Sequence, residues 1–288
     1  MMTKLSVLAP LAALACAAVS SAACAQTPAT NPMPDGSRDM YVGIGIVSSA
    51  RYQGAASTER SALPVLQVQL SNGLFVSGMR AGIHLGRTPQ VEFGPLLEWQ
   101  PRRDAAGEGD ELGGVGDMRF SLVAMPLAAY SDNRLAGMPV IHGRLQGGGF
   151  LNYYLTPDWR LTSSLLYGAG NARNGMKLEL GVQRLALSLG AHHRLALDAG
   201  VSFASRRYNS AFFGVSESDS LLSGLPVFDA GGGLKDARIG ARWNWAWSPS
   251  WMLTSSVQAT RLLGSARLSP LVERPTNLTV STAIAYRF

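Results

Sequence analysis

The sequence predicts an all-β chain: a transmembrane, antiparallel, up-and-down β-barrel of about 12 strands, with 10 as the alternative count. Three observations predict it. The second half alternates apolar and polar side chains at period two, in segments of about 9 to 14 residues, the length of a tilted strand crossing a bilayer. Tight turns alternate with long connections. The composition is 47% hydrophobic and 15% charged, yet past residue 25 no stretch approaches the ~18 apolar residues of a spanning helix. So apolar a chain needs an outward surface facing something other than water.

The elements follow in order. Residues 1–25 read as a signal peptide: Lys4 as a short basic region, Leu5 to Val19 as the apolar run, and Ala23-Cys24-Ala25 as an A-x-A cleavage site. An acylated Cys24 is the alternative, although Ser21 stands where lipoprotein signals prefer Leu. Both cysteines, Cys16 and Cys24, lie inside this peptide, so cleavage removes disulfide, thiolate-metal and cysteine-nucleophile chemistry together. The expected mature chain has about 263 residues and 24 basic against 19 acidic side chains, a net of about +5. Its arginines are dispersed, which argues against a nucleic-acid partner. Residues 26–38 are expected to be a periplasmic segment, and 39–288 the barrel.

Strands are expected at 40–47, 62–70, 74–77, 80–86, 90–99, 145–155, 159–168, 175–188, 193–204, 236–247, 251–263 and 277–288. Ser71-Asn72-Gly73 and Arg87-Thr88-Pro89 mark turns in the first half. The segment 74–77 is short for a strand. Residues 100–144 read as one long outer loop with its own hairpin or helix, although its apolar run "RFSLVAMPLAAY" also fits a pair of strands. In the second half "LTPDWRL", "GAHHRL" and "WSPSWML" are tight turns, and 169–174, 205–235 and 264–276 are longer connections. Short turns on one rim and long loops on the other is the plan of an outer-membrane barrel. In "MKLELGVQRLALSLG" the apolar parity slips between Val182 and Leu185, predicting a β-bulge near Gln183-Arg184. A soluble sandwich also alternates, but it carries charge on its outer faces. Here the polar face carries Gly, Ser, Thr and Arg, and the apolar face carries Trp and Tyr near strand ends.

The segments "FFGVS", "SGLPVFDAGGGLKD" and "ATRLLGSARLSPLV", in that order over 205–272, resemble the MipA/OmpV family of Gram-negative outer-membrane proteins. "YVGIG", "YQGA", "YLTPDWRL" and "YRF" are similar to it as well. The family-like loop positions are Gly224, Leu225, Pro226, Asp229, Gly231, Lys235 and Asp236. The chain departs from the family at Ser265-Ala266-Arg267, where acidic residues are usual, and in the length of 100–144. The resemblance implies a location in the outer membrane. It also implies a scaffold that brings a lytic transglycosylase together with a penicillin-binding protein; other members are adhesin-like. By resemblance to outer-membrane barrels generally, Tyr286 and Phe288 in the closing strand "TVSTAIAYRF" are the expected signal to the outer-membrane assembly machinery.

Nothing in the residues points to catalysis, a cofactor or a metal. The histidines, His84, His142, His192 and His193, show no convergent ligand spacing. There is no Gly-x-Ser-x-Gly elbow. "DAGGGLKD" lacks the P-loop spacing, and its Asp229, Lys235 and Asp236 are expected to hold a loop by salt bridges. On the inward face Arg160, Arg194, Arg238, Arg242 and Arg287 are set against Glu92, Glu98, Glu179 and Asp198. Such charges either pair and plug a narrow lumen or line an anion-preferring channel. The plug is the preferred reading, with a small channel or an adhesin as the alternative to the scaffold.

Overall fold

In a computed structural model, residues 38–86, 88–109 and 134–288 are described. The expected signal peptide, most of the periplasmic segment and the run 119–130 lie outside them. Among the described residues, fourteen strands and three short helices follow one another: β1 Arg38–Ala50, β2 Thr58–Leu70, β3 Leu74–Ser77, β4 Arg80–Ile83, β5 Val91–Gln100, β6 Arg102–Asp104, β7 Gly107–Gly109, β8 Arg144–Thr156, β9 Trp159–Ala169, β10 Gly175–Ser188, β11 His193–Ala204, α1 Arg206–Phe213, α2 Glu217–Ser223, β12 Gly233–Ala246, β13 Trp251–Leu262, α3 Gly264–Arg267 and β14 Thr276–Arg287. Twelve of the strands close into an antiparallel barrel, with β14 paired back to β1; β6 and β7 form a separate hairpin within the loop after β5.

The period-two pattern explains the wall. On β1, Ile44 and Ile46 are 67% and 68% exposed, whereas Tyr41 and Val47, of opposite parity, are 1% and 3% exposed. Apolar residues therefore point outward, which in a closed barrel means toward lipid. A strand of 13 residues such as β1 rises about 3.3 Å per residue and, tilted about 45°, spans about 30 Å, the thickness of the hydrocarbon core. Closure pairs the backbone polar groups around most of the ring, as lipid requires. At the closing seam Gly43 is obligatory, since a Cβ there would stand 2.2 Å from the Ile284 carbonyl oxygen.

The expected β-bulge is present: pairing of β10 with β11 shifts between Arg184 and Leu187. The short segment 74–77 is a strand, but β3 and β4 have only four residues each. β3 meets β2 at Gln67 to Gln69 alone, so among the described residues the outer part of β2 pairs only with β1. Strand 80–86 stops at Ile83, and 236–247 begins earlier, at Gly233.

The loop end is closed by apolar packing. Tyr208, Phe212 and Phe213 of α1 join Ile141, Ala169, Ala204, Ala230, Leu262 and Ala266 in one buried cluster. Leu135, Met138, Val215, Leu225 and Leu271 form a second cluster with Tyr52. The connection 205–235 therefore holds two helices rather than an irregular loop. Ser205 caps α1 by accepting from the Tyr208 amide, and Ser216 with Asp219 forms a reciprocal capping box on α2.

Candidate functional site

The alternation that sends Ile and Trp outward sends charge into the lumen. Four side chains from β4, β5 and β10 meet across it. Arg80 Nη2 lies 2.5 Å from Glu98 Oε2 and 3.1 Å from Glu179 Oε2; Lys177 Nζ lies 2.8 Å from Glu98 Oε1 and 3.2 Å from Glu179 Oε1. Ser164 on β9 also donates to Glu179, at 3.0 Å. Two cations and two carboxylates thus form a ring of alternating sign that ties together distant parts of the wall. Nearer the turn end Arg160 donates to Gln183 Oε1 at 2.6 Å and lies 3.5 Å from Glu92. Glu92 also accepts from Tyr154 at 2.7 Å and from Asn152 at 3.1 Å.

Of the other expected lumen residues, Arg238 and Asp198 line the same cavity as Arg80, Arg160, Glu92 and Glu179. Arg238 donates to Ser202 Oγ at 3.3 Å. Arg242 is buried in the wall, and Asp198 is buried on β11. Arg194 bonds Ser188 beside the turn and joins neither network. Arg287 donates to Asp39 at 2.8 Å, fastening β14 to β1 at the turn end. Arg80, Lys177, Tyr154 and Gln183 were missed in the sequence, although each has inward parity on its strand.

The loop motif divides. Lys235 sits where pairing of β11 with β12 slips, and both Lys235 and Asp236 point inward. They pair at 2.8 Å, and Lys235 also donates to Gln53 at 3.0 Å. Asp229 does not join them: it is exposed and pairs with Arg206 at the start of α1. Gly224 ends α2 in the left-handed conformation, φ 72°. Leu225 is buried in the apolar cap, and Pro226 is exposed. The Gly231 carbonyl accepts from Asn209 at 2.7 Å and Ser265 at 2.5 Å. Ser265, one of the positions where acidic residues were expected, therefore locks α3 to this loop.

Outside the barrel seven rings make a continuous ladder toward the turn end. His193 stacks on Trp243 and Trp245; Trp247, Trp251, Tyr286 and Phe288 continue it, with successive centroids 5.0–6.4 Å apart. Among the described residues no group of three or more His, Cys, Asp or Glu side chains is placed to hold a metal ion.

The sequence matches the family described as "MltA-interacting protein MipA" over residues 42–288. The chain belongs to that family. With its lipid-facing wall, this makes it an outer-membrane β-barrel. Its architecture is similar to that of solved outer-membrane proteins at low identity. The NanC porin is 8% identical with a TM-score of 0.43, over 86% of this chain and 100% of that one. The KdgM porin is 8% identical with a TM-score of 0.41, over 86% and 99%. The Pseudomonas putida toluene transporter TodX is 10% identical with a TM-score of 0.36, over 93% of each. No curated protein matches the chain.

Proposed function

We propose that this barrel is a non-enzymatic scaffold of the cell envelope, engaging murein-processing partners at its periplasmic side. The observation that supports the reading is the state of the lumen. Its Arg80, Lys177 and Arg160 are matched by Glu98, Glu179 and Glu92, and the external mouth is packed with apolar side chains. Permeation requires a continuous wet path with groups free to exchange partners with the solute; cross-lumen ion pairs and a packed cap oppose both. That leaves the surface of the barrel to act, and the family's description names an interaction rather than a reaction. The partners in this reading are a lytic transglycosylase and a penicillin-binding protein. The full-length barrel, purified in detergent, should retain a lytic transglycosylase on an affinity matrix at physiological salt, and should show no discrete conductance steps in a planar bilayer. Stable conductance steps together with failure to retain the hydrolase would overturn the proposal in favour of a small channel.

A further inference from the structure

The lipid-facing rim at the loop end is not uniform. On β5 and β8 to β12 the outward residues nearest that end are Trp99, Leu145, Tyr167, Met176, Phe203 and Leu234, apolar or aromatic and 37–57% exposed. Across the neighbouring strands β13, β14, β1 and β2 the rim changes character. Arg60, near the start of β2, stands opposite Ser48, which continues the outward parity of Ile44 and Ile46 on β1. Arg261, near the end of β13, shares parity with the outward Val257 and stands opposite Thr276, where β14 begins. Arg274 lies two residues before β14, where the Leu262 amide still donates to the Pro275 carbonyl at 2.7 Å. All three arginines are exposed.

Their charge is unopposed. Among the described residues none of the three guanidinium groups has a hydrogen-bond or ion-pair partner. Glu59, beside Arg60, points the other way, into the loop-end member of two lumen cavities of about 220 and 170 Å³. Glu273, beside Arg274, turns its carboxylate to the Tyr52 hydroxyl at 3.2 Å and the Ala56 amide at 2.9 Å. An arginine on the lipid side of a barrel is tolerated only near the interface, at headgroup level. There its forked donors match phosphate oxygens. Nearer the middle of the same strands Ile46, Val257, Leu278 and Val280 are 43–68% exposed, an apolar wall for acyl chains. Thr58 and Thr276 add exposed hydroxyls to the rim. Arg60 and Arg261 stand three strand spacings apart, about 14 Å across the strands and about 20 Å round the rim at a tilt of about 45°. That span matches a headgroup with phosphates at its two ends, not a single phosphate.

We propose that this sector of the rim binds one membrane glycolipid whose sugar headgroup carries a phosphate at each end. Arg60 holds one phosphate, Arg261 and Arg274 hold the other, and the acyl chains lie on the apolar wall between β13 and β2. The site holds whether or not the barrel retains a hydrolase.

The test is native mass spectrometry of the full-length barrel, stripped of lipid in detergent and titrated with lipids. The probes are diphosphoryl lipid A, its monophosphoryl form with the same acyl chains, and cardiolipin, whose two phosphates share one glycerol. Diphosphoryl lipid A should bind at one per barrel, about tenfold or more tighter than either other lipid, and inorganic phosphate at equal concentration should not displace it. Arg60→Gln and Arg261→Gln should each weaken it about tenfold, the scale of one charge-assisted hydrogen bond. Arg207→Gln, an exposed arginine on α1 away from this rim, should leave it unchanged. Equal binding of the monophosphoryl form or of cardiolipin would overturn the proposal, as would displacement by inorganic phosphate. So would unchanged affinity in both rim variants, or a loss in Arg207→Gln as large as theirs.

Discussion

Replacing Glu98 by Gln should cost the barrel about 3 kcal/mol, and the reason lies in the ring of four charges. Glu98 holds Arg80 at 2.5 Å and Lys177 at 2.8 Å, and these side chains are 10–17% exposed. The substitution keeps the shape but leaves two cations sharing Glu179 alone. Breaking a fully buried pair from one side costs about 3–5 kcal/mol, and the slight exposure here favours the lower end. Lys177→Met leaves the opposite imbalance, two carboxylates facing Arg80, and should cost a similar amount. The double variant restores one cation to one carboxylate. It should therefore be more stable than the sum of the singles by at least about 1.5 kcal/mol. Reversible urea unfolding in lipid vesicles measures all four proteins. The reasoning fails if Glu98→Gln lies within about 0.5 kcal/mol of the parent, or if the two single losses simply add.

The exposed Arg206–Asp229 pair is the contrasting case: Asp229→Ala should change stability by less than about 1 kcal/mol in the same assay. Gly43→Val should abolish the compact, heat-modifiable form on gels, because the new side chain has no room beside the Ile284 carbonyl in the closing seam. Although part of Glu108 reaches solvent, its carboxyl lies deep in the mouth at the loop end, and desolvation raises its pKa despite the opposing pull of Arg103. Folding then favours the protonated form, so the cap should be most stable below the usual carboxylate range and lose stability as pH rises through the raised value. Proteolysis of the cap against pH should show this trend, and Glu108→Gln should flatten it. Phe288→Ala should lower the surface level of the barrel well beyond the loss expected from one ring, about 2–3 kcal/mol at most, if Tyr286 and Phe288 are read during assembly; unaltered surface levels would refute that role.

The legible parts of the sequence were those where one face meets lipid and the other a polar lumen. There a strand must alternate, and 175–188 and 193–204 could be read to the residue. The parity slip at Gln183-Arg184 gave the bulge for the same reason. Alternation weakens where a strand is short, so the pattern over 80–86 runs on past Ile83, where β4 ends. It fails where an element packs against other loops instead of lipid. By alternation alone, helices α1 and α2 read only as connection, although Ser205 and the Ser216/Asp219 pair are recognisable caps. Inward parity found Arg160, Glu92 and Glu98, but pairing across the lumen depends on which strands face one another. No local pattern carries that for Arg80 on β4 and Lys177 on β10, four strands apart round the barrel yet joined through Glu98 and Glu179. Parity was also no guide at Lys235, where the pairing slip turns two successive residues inward and leaves Asp229 outside.

The six tryptophans have a practical consequence. Trp99, Trp159, Trp245, Trp247 and Trp251 are all exposed on the outside of the wall, and Trp243 stacks in the same outer ladder. None lines either lumen cavity. The intrinsic fluorescence of this protein is therefore a signal from its lipid-facing side alone. Lipids carrying a quencher at known depths should resolve the descent of Trp243 to Trp251 through the bilayer during insertion. Events inside the barrel will leave that emission unchanged, so a silent titration followed by tryptophan light says nothing about what the lumen has taken up.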